Sequence, residues 1–329
     1  MSQLTDRFRK LSDIFENASS SETWRQATLY VTLLITIIAA GLISPSFLSV
    51  DNISNVLRQS AALGIVSLGQ TMVMIAGGFD LSVTATMQLA TVMVAEISRG
   101  RDDRLPMAFA VALLLGLVIG TFNGVVTARR RSSAFMVTLA VSLAVTGARL
   151  LYTGATPSGL LPDGLRPLSQ GQVLGIPFSL ILLLILTALS ALLLRKTTFG
   201  RQLYASGANP EAAHLSGVNV ERVWIVTFMI SGVLAALAGL VLAAYIGYVD
   251  QWLGGGYDLD SIAAAAIGGV SLAGGKGGVW GTLGGVLLIR MLMNFVLVLQ
   301  LPVEYQLVVR GAVVILVVAL YAATARRRP

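Results

Sequence analysis

The sequence predicts an all-α polytopic membrane protein: about ten transmembrane helices set out as two inverted five-helix halves. Three observations carry this reading. Of the 329 residues, 55% are hydrophobic and only 12% charged, whereas a soluble domain carries roughly 25% charged residues. Basic residues gather beside alternate ends of long apolar runs, and a short glycine–aspartate phrase occurs once in each half. The mean hydropathy is +0.80. A net charge of +7 does not point to nucleic acid here, because Lys and Arg sit in small clusters flanking apolar runs, as topology signals do. With no cysteine in the chain, a disulfide framework, thiol chemistry and a cysteine metal site are excluded. The first ~25 residues read as a mixed-charge surface segment and not as a cleavable signal.

A helix needs about 20 apolar residues to cross the hydrocarbon core. Taken in order, the segments that qualify are 27–44, 53–76, 80–98, 105–128, 134–152, 174–194, 223–246, 259–275, 278–300 and 303–323. They form one transmembrane domain, 27–323, with halves at about 27–152 and 174–323 and a polar loop at 195–222. A segment 1–26 precedes it and a basic tail 324–329 follows. Glycine pairs and polar residues interrupt the second, third and eighth segments. The distribution of positive charge tests the count, since one wrong span inverts every later loop. With an inside N-terminus, the inside segments hold Arg7, Arg9, Lys10, Arg25, Arg129–Arg131, Arg195, Lys196, Arg201, Arg222, Lys276 and Arg326–Arg328. The outside loops hold only Arg99, Arg101, Arg104 and Arg166. Ten spans with both ends cytoplasmic satisfy the rule.

The repeated phrase is "GGFDLS" at Gly77–Ser82 and "GGYDLD" at Gly255–Asp260. The two open the third and eighth segments, which are equivalent positions in two five-span halves. An odd number of spans per half makes the halves inverted. The glycines permit a sharp turn, and each Asp is expected to cap the helix that follows. Asn123 and Asn294, in the fourth and ninth segments, form a second matched pair.

The polar stretch "TTFGRQLYASGANPEAAHLSGVNVERV", 197–223, separates two of the most apolar runs. Asn209 is suited to N-cap a helix, Pro210 to its first position, and Glu211 to its positive end. Gly217 is suited to a left-handed C-terminal cap. The spacing predicts a helix over Pro210–Ser216, too short to stand alone in water. It is expected to offer Ala212, Ala213 and Leu215 to a partner on the cytoplasmic side.

"EAAHLSG", Glu211–Gly217, is similar to the docking loop of ABC-importer permeases, and the chain specifically resembles the permease subunit of ribose-type monosaccharide ABC importers. "GGFDLSV" (Gly77–Val83), "SAFMVTLA" (Ser133–Ala140) and "GYDLDSIAAAAIGGVSLAGGKG" (Gly256–Gly277) carry the resemblance further, over about Ser44 to Val318. The departures, Val83-Thr84-Ala85 for Val-Gly-Ser and Ser133-Ala134 where a proline often precedes the phenylalanine, bear on substrate more than on class.

The resemblance implies a fold similar to the cobalamin-importer permease and a non-catalytic subunit in the bacterial inner membrane. Its implied partners are a second permease copy or a sister permease, a cytoplasmic ABC ATPase that uses ATP and Mg, and a periplasmic sugar-binding protein. Membrane lipid surrounds it, and no nucleic acid and no cofactor of its own are expected. ATPase docking falls to Asn209, Pro210, Glu211, Ala212, Ala213, His214, Leu215 and Gly217. The pathway or gate candidates are Gly77, Gly78, Asp80, Ser82, Asn123, Phe135, Thr138 and Asn294. Asp258 and Asp260 are candidates either to cap the eighth segment or to receive the binding protein.

An intramembrane carboxylate is costly and functional by default; Asp80 reads as a cap lining a gate, or else as a direct sugar contact. Arg58 and Arg149 lie near span ends and are expected to snorkel. Arg290 and Arg310 lie deeper and are expected to pair across helices. His214, the only histidine, has no second ligand to make a metal site and reads as a docking residue. "GGVSLAGGKGG" (Gly268–Gly278) fails as a phosphate loop: Val270 stands where the first glycine is needed and Gly277 where Ser or Thr is needed. The competing reading is an ion-coupled secondary transporter with inverted repeats, for which Asp80 is the one coupling candidate.

Overall fold

The computed structural model describes residues 22–130, 132–156, 159–250, 252–302 and 304–325. Arg7, Arg9, Lys10, Arg131 and Arg326–Arg328, and with them most of the two terminal segments, lie outside the described residues. The elements are α1 (Glu22–Ile43), α2 (Val50–Ile75), α3 (Val83–Ser98), α4 (Leu105–Arg130), α5 (Ala134–Thr153) and α6 (Pro167–Gln170). A two-residue hairpin, β1 (Gln172–Val173) with β2 (Ile176–Pro177), follows. Then come α7 (Phe178–Lys196), α8 (Thr198–Ala208), α9 (Pro210–Leu215), α10 (Val220–Ile246), α11 (Tyr257–Ile267), α12 (Val279–Val298) and α13 (Glu304–Ala325). A helix occupies each of the ten segments expected from the sequence. Among the described residues, five helices are by length and composition apolar enough to cross a membrane: α4, α5, α7, α10 and α12. The protein is an all-α, multi-pass membrane protein.

The core is built around α2, whose residues from Ser60 to Ile75 are all buried. It packs on α10, α12, α11 and α7. Enclosed by protein, α2 need not present an apolar surface to lipid, and it carries polar groups that close on its own backbone. Ser60, Ser67 and Thr71 each donate to the carbonyl four residues earlier, at 2.7 Å. Bonds of this kind leave few donors unpaired where water is absent. Thr71 also bonds Thr282 of α12 at 2.7 Å.

The most extensive helix–helix contact among the described residues is that of α4 with α10. Gly116, Gly120 and Gly124 form a stripe on α4, and a Cβ at the first two would strike the backbone carbonyls of Gly232 and Phe228. In lipid, helices associate through such close backbone approach, since burying apolar side chains gains little there.

The structure departs from the expected spans where helices are interrupted. The third segment turns helical only at Val83, and the eighth is helical over Tyr257–Ile267 alone. At 1.5 Å per residue, α3 is about 24 Å long and α11 about 17 Å, short of a core of about 30 Å. Gly268 and Gly269 end α11, the latter at φ +92°, so the apolar stretch through 275 reads as helix in sequence but is loop. The two short helices meet by their N-termini. Thr84 Oγ1 accepts from the Asp258 N–H at 3.1 Å, and Gln88 Nε2 donates to the Leu253 carbonyl at 3.2 Å. The sixth segment begins at Phe178 because the hairpin takes its first residues.

Candidate functional site

The segment between α2 and α3 is a built polar site inside the bundle. α2 ends at a glycine cap: Gly77, at φ +92°, donates to the Met74 carbonyl, and Gly78 donates to that of Val73, both at 2.9 Å. This geometry satisfies two terminal carbonyls and needs a residue that tolerates the left-handed region. Gly78 is held under Ala134 and Trp224, to which a Cβ would come within 3.1 and 3.2 Å.

The chain then carries Asp80 into the interior, where it is 1% exposed. Its Oδ1 accepts from the Ser82 N–H at 3.0 Å and from Ser82 Oγ at 2.6 Å, and its Oδ2 accepts from Ser231 Oγ at 2.8 Å. Ser82 Oγ in turn accepts from Asn123 Nδ2 at 2.8 Å. The Gln70 amide, oriented to satisfy both groups, donates to the Asp80 carbonyl at 3.1 Å and accepts from its N–H at 3.3 Å. Thr138 Oγ1 accepts from the Leu81 N–H at 3.1 Å and donates to the Ala134 carbonyl at 2.8 Å. Five helices thus converge on one interrupted strand of backbone: Gln70 from α2, Ser82 at the entrance to α3, Asn123 from α4, Thr138 from α5 and Ser231 from α10. A buried carboxylate is tolerable only when so many donors replace its water.

Of the pathway candidates, Gly77, Gly78, Asp80, Ser82, Asn123 and Thr138 come together here. Phe135 lies beside them on α5 and is 48% exposed. Asn294 lies apart, exchanging amide hydrogen bonds with Asn52 at 2.9 Å each way. The pairing of Asn123 with Asn294 therefore does not extend to a shared environment. Ser231 escaped the sequence reading; its signal was a hydroxyl next to Gly232 in the middle of an otherwise apolar run.

The second candidate site is the loop 197–223. Thr197 caps α8 by accepting from the Gly200 N–H at 3.1 Å, and Leu203 of α8 is fully buried. Asn209 caps α9, its Oδ1 accepting from Glu211 and Ala212 N–H groups at 3.1 and 3.0 Å, with Pro210 at the first position. α9 closes on Gly217, at φ +84°, through bonds from Gly217 to the His214 carbonyl and from Val218 to that of Ala213. The helix ends at Leu215, one residue earlier than expected. Glu211, Ala212, His214 and Leu215 are exposed, Leu215 by 82%. Ala213 is buried, contrary to the expectation that it faces outward. Adjacent helical residues differ by about 100° in direction, so a helix that shows Ala212 and Leu215 turns Ala213 inward. Asn219 caps α10 through the Arg222 N–H at 2.9 Å, and Arg129 pairs with Glu221 at 2.6 Å, joining α4 to α10 at this end.

The entrance to α11 differs from its repeat partner. Its N-cap is Gly256, with no side-chain bond from Asp258, so Asp258 is not the cap expected. The buried carboxylate is Asp260, 1% exposed and paired through Oδ1 with Arg310 Nε at 2.8 Å. In this arrangement its Oδ1 is engaged inside the protein by Arg310. Arg310 also donates to the Gly255 carbonyl at 3.2 Å, and Arg290 lies over the Tyr257 ring at 4.5 Å. Arg310 thus pairs with a carboxylate and a carbonyl, as expected, whereas Arg290 meets a ring and its Nε and Nη2 have no hydrogen-bond partner. Arg149 does not snorkel: it is 1% exposed and donates to Gln88 Oε1 at 3.1 Å. Arg58 is half-buried. Among the described residues, no group of three or more His, Asp or Glu is placed to hold a metal ion.

The family model described as branched-chain amino acid transport system / permease component matches residues 52–318. The ribose import permease protein RbsC of Bacillus subtilis is 38% identical over 293 residues, covering 88% of this chain and 91% of that protein. The ribose import permease protein RbsC of Haemophilus influenzae is 36% identical over 295 residues, covering 88% and 90%. The autoinducer 2 import system permease protein LsrC of Salmonella paratyphi B is 34% identical over 291 residues, covering 88% and 84%. No solved structure gives a significant match.

Proposed function

Because the chain belongs to the branched-chain amino acid transport system / permease component family, we propose that it works as the permease subunit of an ATP-driven importer. It is a permease subunit of the ribose type, for a monosaccharide or similar small polar solute. In this reading the chain spans the bacterial inner membrane ten times, as two inverted halves with both termini cytoplasmic. A separate ATPase hydrolyses ATP, and a periplasmic binding protein delivers the solute.

One observation carries the assignment. α9 is a six-residue helix, capped at both ends, that leaves Glu211, Ala212, His214 and Leu215 in the open. A helix this short has no stability of its own, and an exposed leucine on the same helix as an exposed glutamate is what a docking partner would cover. Closure of the ATPase dimer would move α9, and the interrupted segment at Asp80 would respond by opening or closing the path. Solute would then pass along a weakly polar route. The exposed apolar face of α5, with Met136, Leu143 and Leu151 at 71, 67 and 87% exposure, supplies surface for a second permease copy as well as for lipid.

The test is uptake of radiolabelled ribose and related monosaccharides by cells carrying Glu211→Lys or Gly217→Val. The reading expects uptake to be lost while the chain stays in the membrane. Wild-type uptake by both variants would contradict it.

A further inference from the structure

We infer that Gly207 is a positioning residue of the transport cycle, through which the docking helix is tied at once to both interrupted helices. The inference rests on reading α9 as the docking element. Gly207 lies in the last turn of α8, two residues before the Asn209 cap of α9, and is buried. The place of its missing side chain is filled by the carbonyl of Ile75, the last residue of α2, which a Cβ would strike. That carbonyl is one of those a helix end leaves without an intrahelical partner. It accepts instead from the Gly275 N–H at 2.8 Å.

Two neighbouring glycines complete the junction. A Cβ on Gly274 would lie 2.7 Å from the Gly207 carbonyl oxygen and 3.0 Å from Gly77 Cα, and one on Gly275 would lie 2.7 Å from Ala208 Cα. One turn earlier on α8, the Tyr204 hydroxyl donates to the Gly277 carbonyl at 2.7 Å.

Three backbones therefore touch with no side chain between them. They are the end of α2 that leads to Asp80, the loop that leaves α11, and the two residues that enter the docking helix. A side chain between moving parts absorbs displacement by changing rotamer. Backbone packed on backbone has no such freedom, and close-packed junctions shift between discrete arrangements. Asn209, fixed by its two cap bonds, leaves little slack between α9 and Gly207. A displacement of α9 is thus delivered together to Ile75 and to Gly275.

The chain lacks cysteine, so single thiols at Phe79→Cys and Lys276→Cys report the two sides of the junction. Maleimide labelling is measured on the full chain in complex with its ATPase, without nucleotide and after trapping with ATP and vanadate. We expect both rates to change together, by about tenfold, within the range a coupling free energy ordinarily carries. Tyr204→Phe should shrink that response about two- to tenfold, the contribution of one hydrogen bond, while the ATPase stays bound. Gly207→Ala should shrink it at least as far; should that variant fail to fold, Tyr204→Phe carries the test.

Rates that do not respond, that respond independently, or that respond equally in the variants would overturn the inference. So would loss of the ATPase in Tyr204→Phe, since the junction would then merely hold α9 in place. An unmodified chain that binds no ATPase contradicts the docking reading itself, an outcome distinct from all of these.

Discussion

Ser231 donates to the Oδ2 of Asp80 at 2.8 Å, joining the middle of α10 to the interruption between α2 and α3. The bond adds a third donor to a carboxylate buried inside the bundle. Ser231→Ala leaves one carboxylate oxygen short of a donor, at a cost of about 1–3 kcal/mol. Thermal unfolding in detergent should show a lower midpoint for Ser231→Ala and a smaller loss for Ser231→Thr, which keeps the hydroxyl. An unchanged midpoint for Ser231→Ala would mean that another donor replaces it.

The glycine stripe of α4 makes a second prediction. Gly120→Ala places a methyl group against the Phe228 carbonyl, and overpacking of this kind costs about 1–3 kcal/mol. Gly147→Ala on α5 meets nothing within 4 Å and should leave the midpoint unchanged. Equal effects of the two substitutions on detergent unfolding would contradict the close α4–α10 packing.

Asp260 and Arg310 should behave as a unit. Removing one partner of a buried pair costs about 3–5 kcal/mol, because the other charge is left uncompensated. Arg310→Gln and Asp260→Asn alone should therefore each destabilise strongly, and the double variant should recover part of the loss. A double-mutant cycle on unfolding midpoints reads the coupling directly, and strictly additive losses would argue against the pair.

Much of this architecture was legible in the sequence, because hydrocarbon imposes a length and a polarity on every crossing. The positions of the ten apolar helices followed from that and from the placing of positive charge, and α9 from its caps. The interruptions were harder to place, since Val270, Leu272 and Ala273 carry the apolar pattern past α11, and only the glycines with Ser271 and Lys276 mark the stretch as loop. Residues that are costly in lipid pointed toward the Asp80 site, so Asp80, Ser82, Asn123 and Thr138 could be singled out before they were seen to meet. Ser231 could not, because a single hydroxyl inside a helix is cheap and common. Arg149 reads from its position as a snorkelling residue, and only the three-dimensional arrangement brings Gln88 to it. Ala213 was misplaced because composition carries no direction, whereas helical rotation does.

The cap of α9 offers a graded probe of docking. Asn209→Ala removes the acceptor for the Glu211 and Ala212 N–H groups, a loss of about 1 kcal/mol. If α9 must be formed to bind its partner, ATPase affinity should fall about fivefold, the equivalent of that energy. Asn209→Asp, which keeps a capping oxygen, should stay close to the original affinity. Titration of the detergent-purified chain with ATPase measures both, and equal weakening by the two substitutions would contradict a capping role.

The central claim is that this chain is driven by another protein through α9. Its most direct test is purification of the tagged chain from its native membrane in mild detergent, with identification of what accompanies it. The account predicts a soluble ATPase that co-purifies with the unmodified chain and is lost with Glu211→Lys, while the chain itself remains folded. A chain that purifies alone and still moves solute in proteoliposomes without ATP would contradict it.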